Sequence, residues 1–184
     1  MSNLVKIKRE WAMPNHLTFS IKPIGELVKR YLRDSQISID PFARNNRWAT
    51  YTNDLNPDTA ADSHLFALDF LSELKDKNVK ADLIIFDPPY SLRQVKECYE
   101  GVGKDFTFAD SKNAGHWAKE KDICAELLDD NGVFLHFGWH SNGIGKKRGF
   151  EIVELLLVAH GRCHNDTICT VERKIVSKVA DLFS

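Results

Sequence analysis

The sequence predicts an α/β domain: a mostly parallel, seven-strand-type sheet that ends in a C-terminal antiparallel hairpin. Three observations carry this expectation. First, short β-rich apolar runs recur and end on an acid: Ile37-Ser38-Ile39 on Asp40, Trp48 to Asn53 on Asp54, and Leu83-Ile84-Ile85-Phe86 on Asp87. Second, segments with apolar residues at helical spacing lie between such runs, the pattern of strands joined by helical crossovers. Third, residues 160–166 alone separate the last two β-rich runs, which is too short for a parallel crossover and suits a hairpin.

The 184 residues suit one domain, 1–184, with a core of useful size, and 43% hydrophobic and 28% charged content is that of a globular chain. A net charge of −1 excludes a global basic field, so a nucleic-acid partner must be met by a local patch. Cys98, Cys124, Cys163 and Cys169 form no Cys-x-x-Cys pair and are expected to be reduced thiols of a cytoplasmic protein. The start lacks a long apolar segment, so no signal peptide is expected, and no run approaches the ~20 residues of a membrane span. The oligomeric state is open between monomer and homodimer.

Residues 1–16 are mixed and are expected to wrap the surface. Thr18 to Ile24 suits a short extended piece, after which Pro23 opens a helix to Arg33 with Leu27, Val28, Tyr31 and Leu32 on one face. The strand 37–40 is followed after Pro41 to Arg47 by the strand 48–53. Those seven residues have no room for a crossover helix, so the first crossover is shortened. Two arrangements are compatible with so short a link, a parallel pair and an antiparallel hairpin.

Ser63 to Phe66 suits a third short strand and Ala67 to Lys77 a helix, with Leu68, Leu71 and Leu74 on one face and Asp69 in its first turn. Leu83 to Phe86 is a buried strand. Each proline of Asp87-Pro88-Pro89-Tyr90 lacks an N–H and has φ near −65°, so the chain leaves the sheet stiffly and holds a carboxylate and a phenol ring at the strand tip. In open α/β sheets the carboxyl ends of strands are where ligands bind.

Ser91 to Glu100 is helical in character. Residues 101–115 suit a mobile loop bordering a site, with Phe106 and Phe108 among Lys104 and Lys112 placed to meet bases and phosphates. His116 to Asp130 suits a helix closed by Asn131-Gly132, and Val133 to Phe137 a buried strand. Lys146-Lys147-Arg148 is the strongest basic cluster. Phe150 to Ala159 and Thr167 to Arg173 are the hairpin strands. His160, Cys163 and His164 lie close together, but no second ligand group stands at zinc-site spacing, so a polar turn is expected and no metal. Neither a Ser-His-Asp arrangement nor a Walker phosphate loop is present.

With these motifs in this order, the sequence resembles the S-adenosylmethionine-dependent amino-methyltransferases of DNA, most closely the adenine-N6 group found on phages and mobile elements. The resemblance runs from about Thr18 to Lys174 and is most specific at Leu-Ile-Ile-Phe-Asp-Pro-Pro-Tyr, residues 83–90. Asp40-Pro41-Phe42 is similar to the family's first cofactor motif and Asn53 to Pro57 to its ribose motif. The resemblance implies a Rossmann-like methyltransferase fold and S-adenosyl-L-methionine as cofactor. It implies a DNA substrate, with RNA not excluded, and no separate target-recognition domain.

It also implies roles. Asp87 and the Pro88 carbonyl, in the motif completed by Pro89, orient the target amine, and Tyr90 stacks on a base taken out of the duplex. The methionine end of the cofactor falls near Ser20, Lys22 and Asp40, the ribose at Asp54 and the adenine near Phe42, Leu55 and Phe66, with Pro41 also among the cofactor-binding residues. Two departures stand out. Ala43-Arg44-Asn45 replaces the glycines that usually follow the first motif, and Phe66 stands where the third motif often has an acid. A nucleic-acid-binding module with impaired catalysis, or a methyltransferase of RNA adenine or of cytosine N4, is compatible with the same residues.

Overall fold

A computed structural model describes residues 4–107, 117–161 and 163–176. Seven strands form one sheet: β1 (Lys6–Trp11), β2 (Ser38–Asp40), β3 (Tyr51–Thr52), β4 (Ala81–Phe86), β5 (Leu128–Gly138), β6 (Phe150–Ala159) and β7 (Thr167–Lys174). Their order is β1-β6-β7-β5-β4-β2-β3. All neighbours are parallel except β7, which runs antiparallel to both β5 and β6.

Among the described residues, four helices cover the sheet: α1 (Lys22–Arg33), α2 (Ala67–Asp76), α3 (Leu92–Gly101) and α4 (Ala118–Leu127). On one face Ile24, Leu27 and Val28 of α1 pack on Leu83, Ile85, Leu135, Phe137 and Val158. On the other, Phe70, Leu71 and Leu74 of α2 and Cys124 and Leu127 of α4 pack on Ile39, Ile84, Phe86 and Phe134. A strand covered on both sides needs apolar residues at every position, which explains the unbroken Leu83 to Phe86 run in the middle of the sheet.

The link between β2 and β3 settles as a parallel connection, with Ile39 opposite Tyr51 and Asp40 opposite Thr52. No helix crosses over. The paired stretch is so short that a turn-filled loop has the reach to bring the chain back to the start of β3. The antiparallel alternative is therefore overturned. The expected third strand shrinks to a single parallel bridge between Asn53 and Ser63.

Three further expectations are corrected. Residues 6–11 are not a surface wrap but edge strand β1, whose residues are nearly all exposed, so no burial alternation marked it. Thr18–Ser20 is a 3-10 turn rather than an extended piece, and the helix starts at Lys22. The helix expected to run to Asp130 stops at Leu127, and β5 begins at Leu128. Leu127 and Leu128 are both buried. A helix would turn successive side chains about 100° apart, and the switch to extended backbone lets both reach the core. Phe108, Lys112 and His116 lie outside the described residues.

Candidate active site at the carboxyl end of the sheet

The tips of β2, β3 and β4 meet at one end of the sheet, where a cleft of about 580 Å³ opens. Its lining includes Thr18, Phe42, Arg44, Asp54, Phe66 and the whole of Asp87-Pro88-Pro89-Tyr90. β4 delivers the tetrapeptide, and Ser91 stops it: the Ser91 hydroxyl accepts from Gln94 N at 3.3 Å and caps α3. Gln94 Oε1 in turn accepts from Tyr90 N at 2.6 Å, so the backbone amide after the two prolines is satisfied.

The Tyr90 hydroxyl donates to Asp87 Oδ1 at 2.6 Å. Thr18 stands in hydrogen-bonding reach of both groups. Burial raises the Asp87 carboxyl above its ordinary value, and the bonds from Tyr90 and Thr18 and the charge of Arg44 pull the other way. Burial and the neighbouring Asp87 carboxylate push the Tyr90 phenol up. A carboxyl with raised basicity at a strand tip is a group placed to accept N–H bonds.

Asp54 sits at the tip of β3. Its Oδ2 accepts from Arg44 N at 3.0 Å and its Oδ1 from Asn56 N at 2.9 Å. Each oxygen keeps a further lone pair, enough together for a vicinal diol. Arg44 has φ +53°, a conformation natural to glycine, at a place where the resemblance expects glycines. The backbone therefore keeps the turn that a glycine would permit, held by Arg44 Nη1 donating to His16 O at 2.6 Å. Trp117, also on the cleft wall, has φ +49° and meets Phe42 edge-on at 5.1 Å between ring centroids. Left-handed backbone at bulky residues is costly and tends to mark functional sites.

Not every expected site residue lies in this cleft. Pro41, Phe42, Asp54, Leu55 and Phe66 line it beside the tetrapeptide. Asp40 is buried under the loop, where its Oδ1 accepts from Phe42 N at 3.0 Å and burial drives its carboxyl well up. Ser20 is exposed and donates to Leu17 O at 2.7 Å, and Lys22 is exposed at the start of α1; neither lines the cleft. Asn15, His16 and Thr18 line it from the same segment. Asn53, part of the expected ribose motif but given no role of its own there, is structural. Buried, it donates through Nδ2 to Pro41 O at 3.1 Å and Leu65 O at 3.0 Å, and its Oδ1 accepts from Leu65 N at 2.9 Å. It ties the tips of β2 and β3 to the segment that leads into α2. The available signal was an amide next to the acid of a strand end.

A second cleft, of about 410 Å³, shares Asn15, His16, Thr18, Tyr90 and Gln94 with the first and continues to Trp139, His160, His164 and Thr167. Trp139 meets Tyr90 edge-on at 5.9 Å between ring centroids. His160 has both ring nitrogens engaged, Nδ1 with Ala12 O at 2.9 Å and Nε2 with Thr167 Oγ1 at 2.8 Å. Tyr90 lines both clefts, and Asp87, Pro88 and Pro89 line the first.

No family model and no curated protein matches the sequence. Solved structures do match. SMU.776, named a candidate methyltransferase and solved in complex with SAH, superposes with a TM-score of 0.54 at 15% identity, over 80% of this chain and 48% of that one. The yhhF protein of Escherichia coli, also named a candidate methyltransferase, gives 0.54 at 12% identity over 89% and 90%. A SAM-dependent methyltransferase from Agrobacterium tumefaciens gives 0.53 at 12% identity over 80% and 60%. The chain spans about half the length of the first of these. At such identities the likeness establishes the fold: a Rossmann-like methyltransferase fold, mostly parallel, with the antiparallel strand between β5 and β6.

Proposed function

We propose that this chain transfers a methyl group from S-adenosyl-L-methionine to the exocyclic N6 amine of adenine in DNA. The observation that carries the reading is the position of Asp87-Pro88-Pro89-Tyr90, at the carboxyl end of β4 on the border of two clefts. The first cleft suits the cofactor. Asp54 has free lone pairs for the ribose hydroxyls, and Phe42, Leu55 and Phe66 offer apolar walls for an adenine ring. Asn15, His16 and Thr18 supply polar atoms for the methionine end in place of Ser20 and Lys22. The cofactor, when bound, supplies an electrophilic methyl on a sulfonium centre.

The second cleft, which meets the first at Tyr90, suits the acceptor base, with its amine reaching into the first cleft where Asp87 and Pro88 lie. An exocyclic amine is a poor nucleophile because its lone pair is delocalised into the ring. Accepting its two N–H bonds, at the Asp87 carboxylate and the Pro88 carbonyl, localises the pair on nitrogen. Tyr90 gives the base a ring to stack on, and Trp139 closes the side of that pocket. In the structure Tyr90 holds Asp87 Oδ1, so an incoming amine takes over an acceptor already aligned. The base must leave the duplex to enter. Lys146 and Lys147, both exposed, lie just before β6 at the amino end of the sheet, away from this pocket.

Incubation with labelled S-adenosylmethionine and unmethylated DNA tests the proposal, and N6-methyladenine is the expected product. Label confined to RNA, or to N4-methylcytosine, would move the chemistry to another acceptor. Cofactor binding without label in any nucleic acid would defeat it, and favour a binding module that has kept the fold.

A further inference from the structure

Among the described residues, strand β1 is the outer edge of the sheet, paired only with β6. Ala12 N donates to Ala159 O at 3.1 Å. Backbone groups alternate along a strand, so Lys8 and Glu10 also turn their amides towards β6, and those of Ile7, Arg9 and Trp11 face outward. Large apolar side chains crowd this edge: Leu4 is 96% exposed, Ile7 66%, Trp11 65% and Met13 68%. No helix of the described residues covers this stretch, because residues 139–149 link β5 to β6 with only a 3-10 turn.

We propose that β1 pairs antiparallel with β1 of a second copy of this chain, joining the two sheets edge to edge. The sequence Lys6-Ile7-Lys8-Arg9-Glu10-Trp11 is self-complementary in one register. With Arg9 on the two-fold axis, its outward amide faces its own copy. Lys8 then stands opposite Glu10 of the second copy on one face, and Ile7 opposite Trp11 of the second copy on the other. Each contact occurs twice. Only Arg9 meets its own kind, and its long stem lets the head turn to water. Centring on Lys8 also sets Lys6 opposite Glu10 of the second copy, but Glu154 already holds that Lys6 ammonium, and the register sets Lys8 against itself and Ile7 against Arg9. Centring on Ile7 sets Lys6 against Lys8. The charges that deter indiscriminate edge pairing thus leave one register favourable.

Within one chain Glu10 already pairs with Lys8. In the dimer each Glu10 lies between two lysines, a network of four charges across the axis. The even-numbered side of β1 is tied down by Lys6, whose Nζ lies 3.2 Å from Glu154 Oε1, so the strand is held in register before the second copy arrives.

Light scattering of the purified protein is expected to give twice the 21.0 kDa of one chain. Arg9→Pro removes an outward N–H without touching the β6 ladder, and is expected to yield monomer. Lys8→Glu and Glu10→Lys each set like charges opposite one another twice, and are expected to weaken the dimer by roughly tenfold. The double variant Lys8→Glu/Glu10→Lys is expected to restore it. That rescue separates the register from a folding defect, should Arg9→Pro misfold. A monomeric wild type overturns the proposal. So does a dimer indifferent to the charge swaps. Loss of DNA binding in Lys8→Glu with no change of mass would assign the strand to nucleic acid instead.

Discussion

The Tyr90 hydroxyl and Asp87 Oδ1 share a 2.6 Å hydrogen bond across the two prolines that separate them in sequence. One turn of stiff backbone thus makes a closed unit in which the phenol shields the carboxylate. The bond works against the burial that raises the Asp87 carboxyl, and Thr18 assists it. The most reactive group of the proposed site is therefore kept partnered until an acceptor displaces the phenol.

Asp87→Ala is expected to lower methyl transfer by on the order of 10²–10³, the scale for removing a charge-stabilising group at a reacting centre. Cofactor binding by calorimetry should persist, since Asp54, Phe42 and Phe66 are untouched. The fold should persist as well. Because the folded-state carboxyl titrates above its ordinary value of 3.8, wild-type stability falls as pH rises from that value through the raised one. Asp87→Ala should lose this slope and compare better with wild type at neutral pH than in acid. Unchanged turnover would remove the proposed role of Asp87.

Transfer needs the ionised Asp87 carboxylate, so its rate should fall as pH drops through the raised Asp87 value, above the ordinary carboxylate range. Tyr90→Phe keeps the ring and removes the bond that stabilises the carboxylate, so the acid limb should move to higher pH. Tyr90→Ala also loses stacking, worth about 1–3 kcal/mol per base. A pH–rate profile of the three proteins measures both. An acid limb in Tyr90→Phe that stays put would show the phenol to be a bystander.

Asn53→Leu leaves the carbonyls of Pro41 and Leu65 and the amide of Leu65 without their side-chain partner. Three stranded groups at about 1–3 kcal/mol each, two of them only half-buried, give an expected destabilisation of at least about 3 kcal/mol in thermal or denaturant unfolding. Cofactor affinity should fall with it, because the tips carrying Phe42 and Asp54 lose their tie. Wild-type stability and affinity in this variant would show the amide to be dispensable.

Burial pushes Glu154 up, but bonds from Arg30, Lys6 and Tyr31 outweigh it and hold the carboxyl below its ordinary value of 4.5. Arg30 Nη2 donates to both oxygens, at 2.8 and 2.9 Å, and the Tyr31 hydroxyl donates at 3.0 Å. A depressed value contributes stability above pH 4.5 that is lost as pH falls through the folded-state value. Glu154→Gln should cost about 1–3 kcal/mol at neutral pH and nothing in strong acid, measured by denaturant unfolding at both. An equal cost at both would mean the pair contributes packing alone.

Much of this was legible in the residues. Helices α1, α2 and α3 follow their apolar periodicity, and β4, β6 and β7 follow dense β-rich runs. The stiff exit at Pro88-Pro89 was visible because proline's restriction is written in its own ring. Strand β1 was not legible. Its mixed Lys6-Ile7-Lys8-Arg9 is nearly all exposed, so burial imposes no pattern on it. The α4–β5 boundary was misplaced because Leu127 and Leu128 are equally apolar, and only the core's position decides how each is reached.

By itself, then, the sequence determined the element types, the acid-tipped strands and the Asp87 to Tyr90 unit, all properties set by neighbours within a few residues. The tertiary structure alone decided that β2 and β3 run parallel, that Asn53 ties their tips, that Thr18 rather than Ser20 faces the cleft, and that Lys6–Trp11 edges the sheet. Each of these depends on which distant segment supplies a hydrogen-bond partner. Local periodicity carries no record of that choice, because backbone donors and acceptors are the same at every residue except proline.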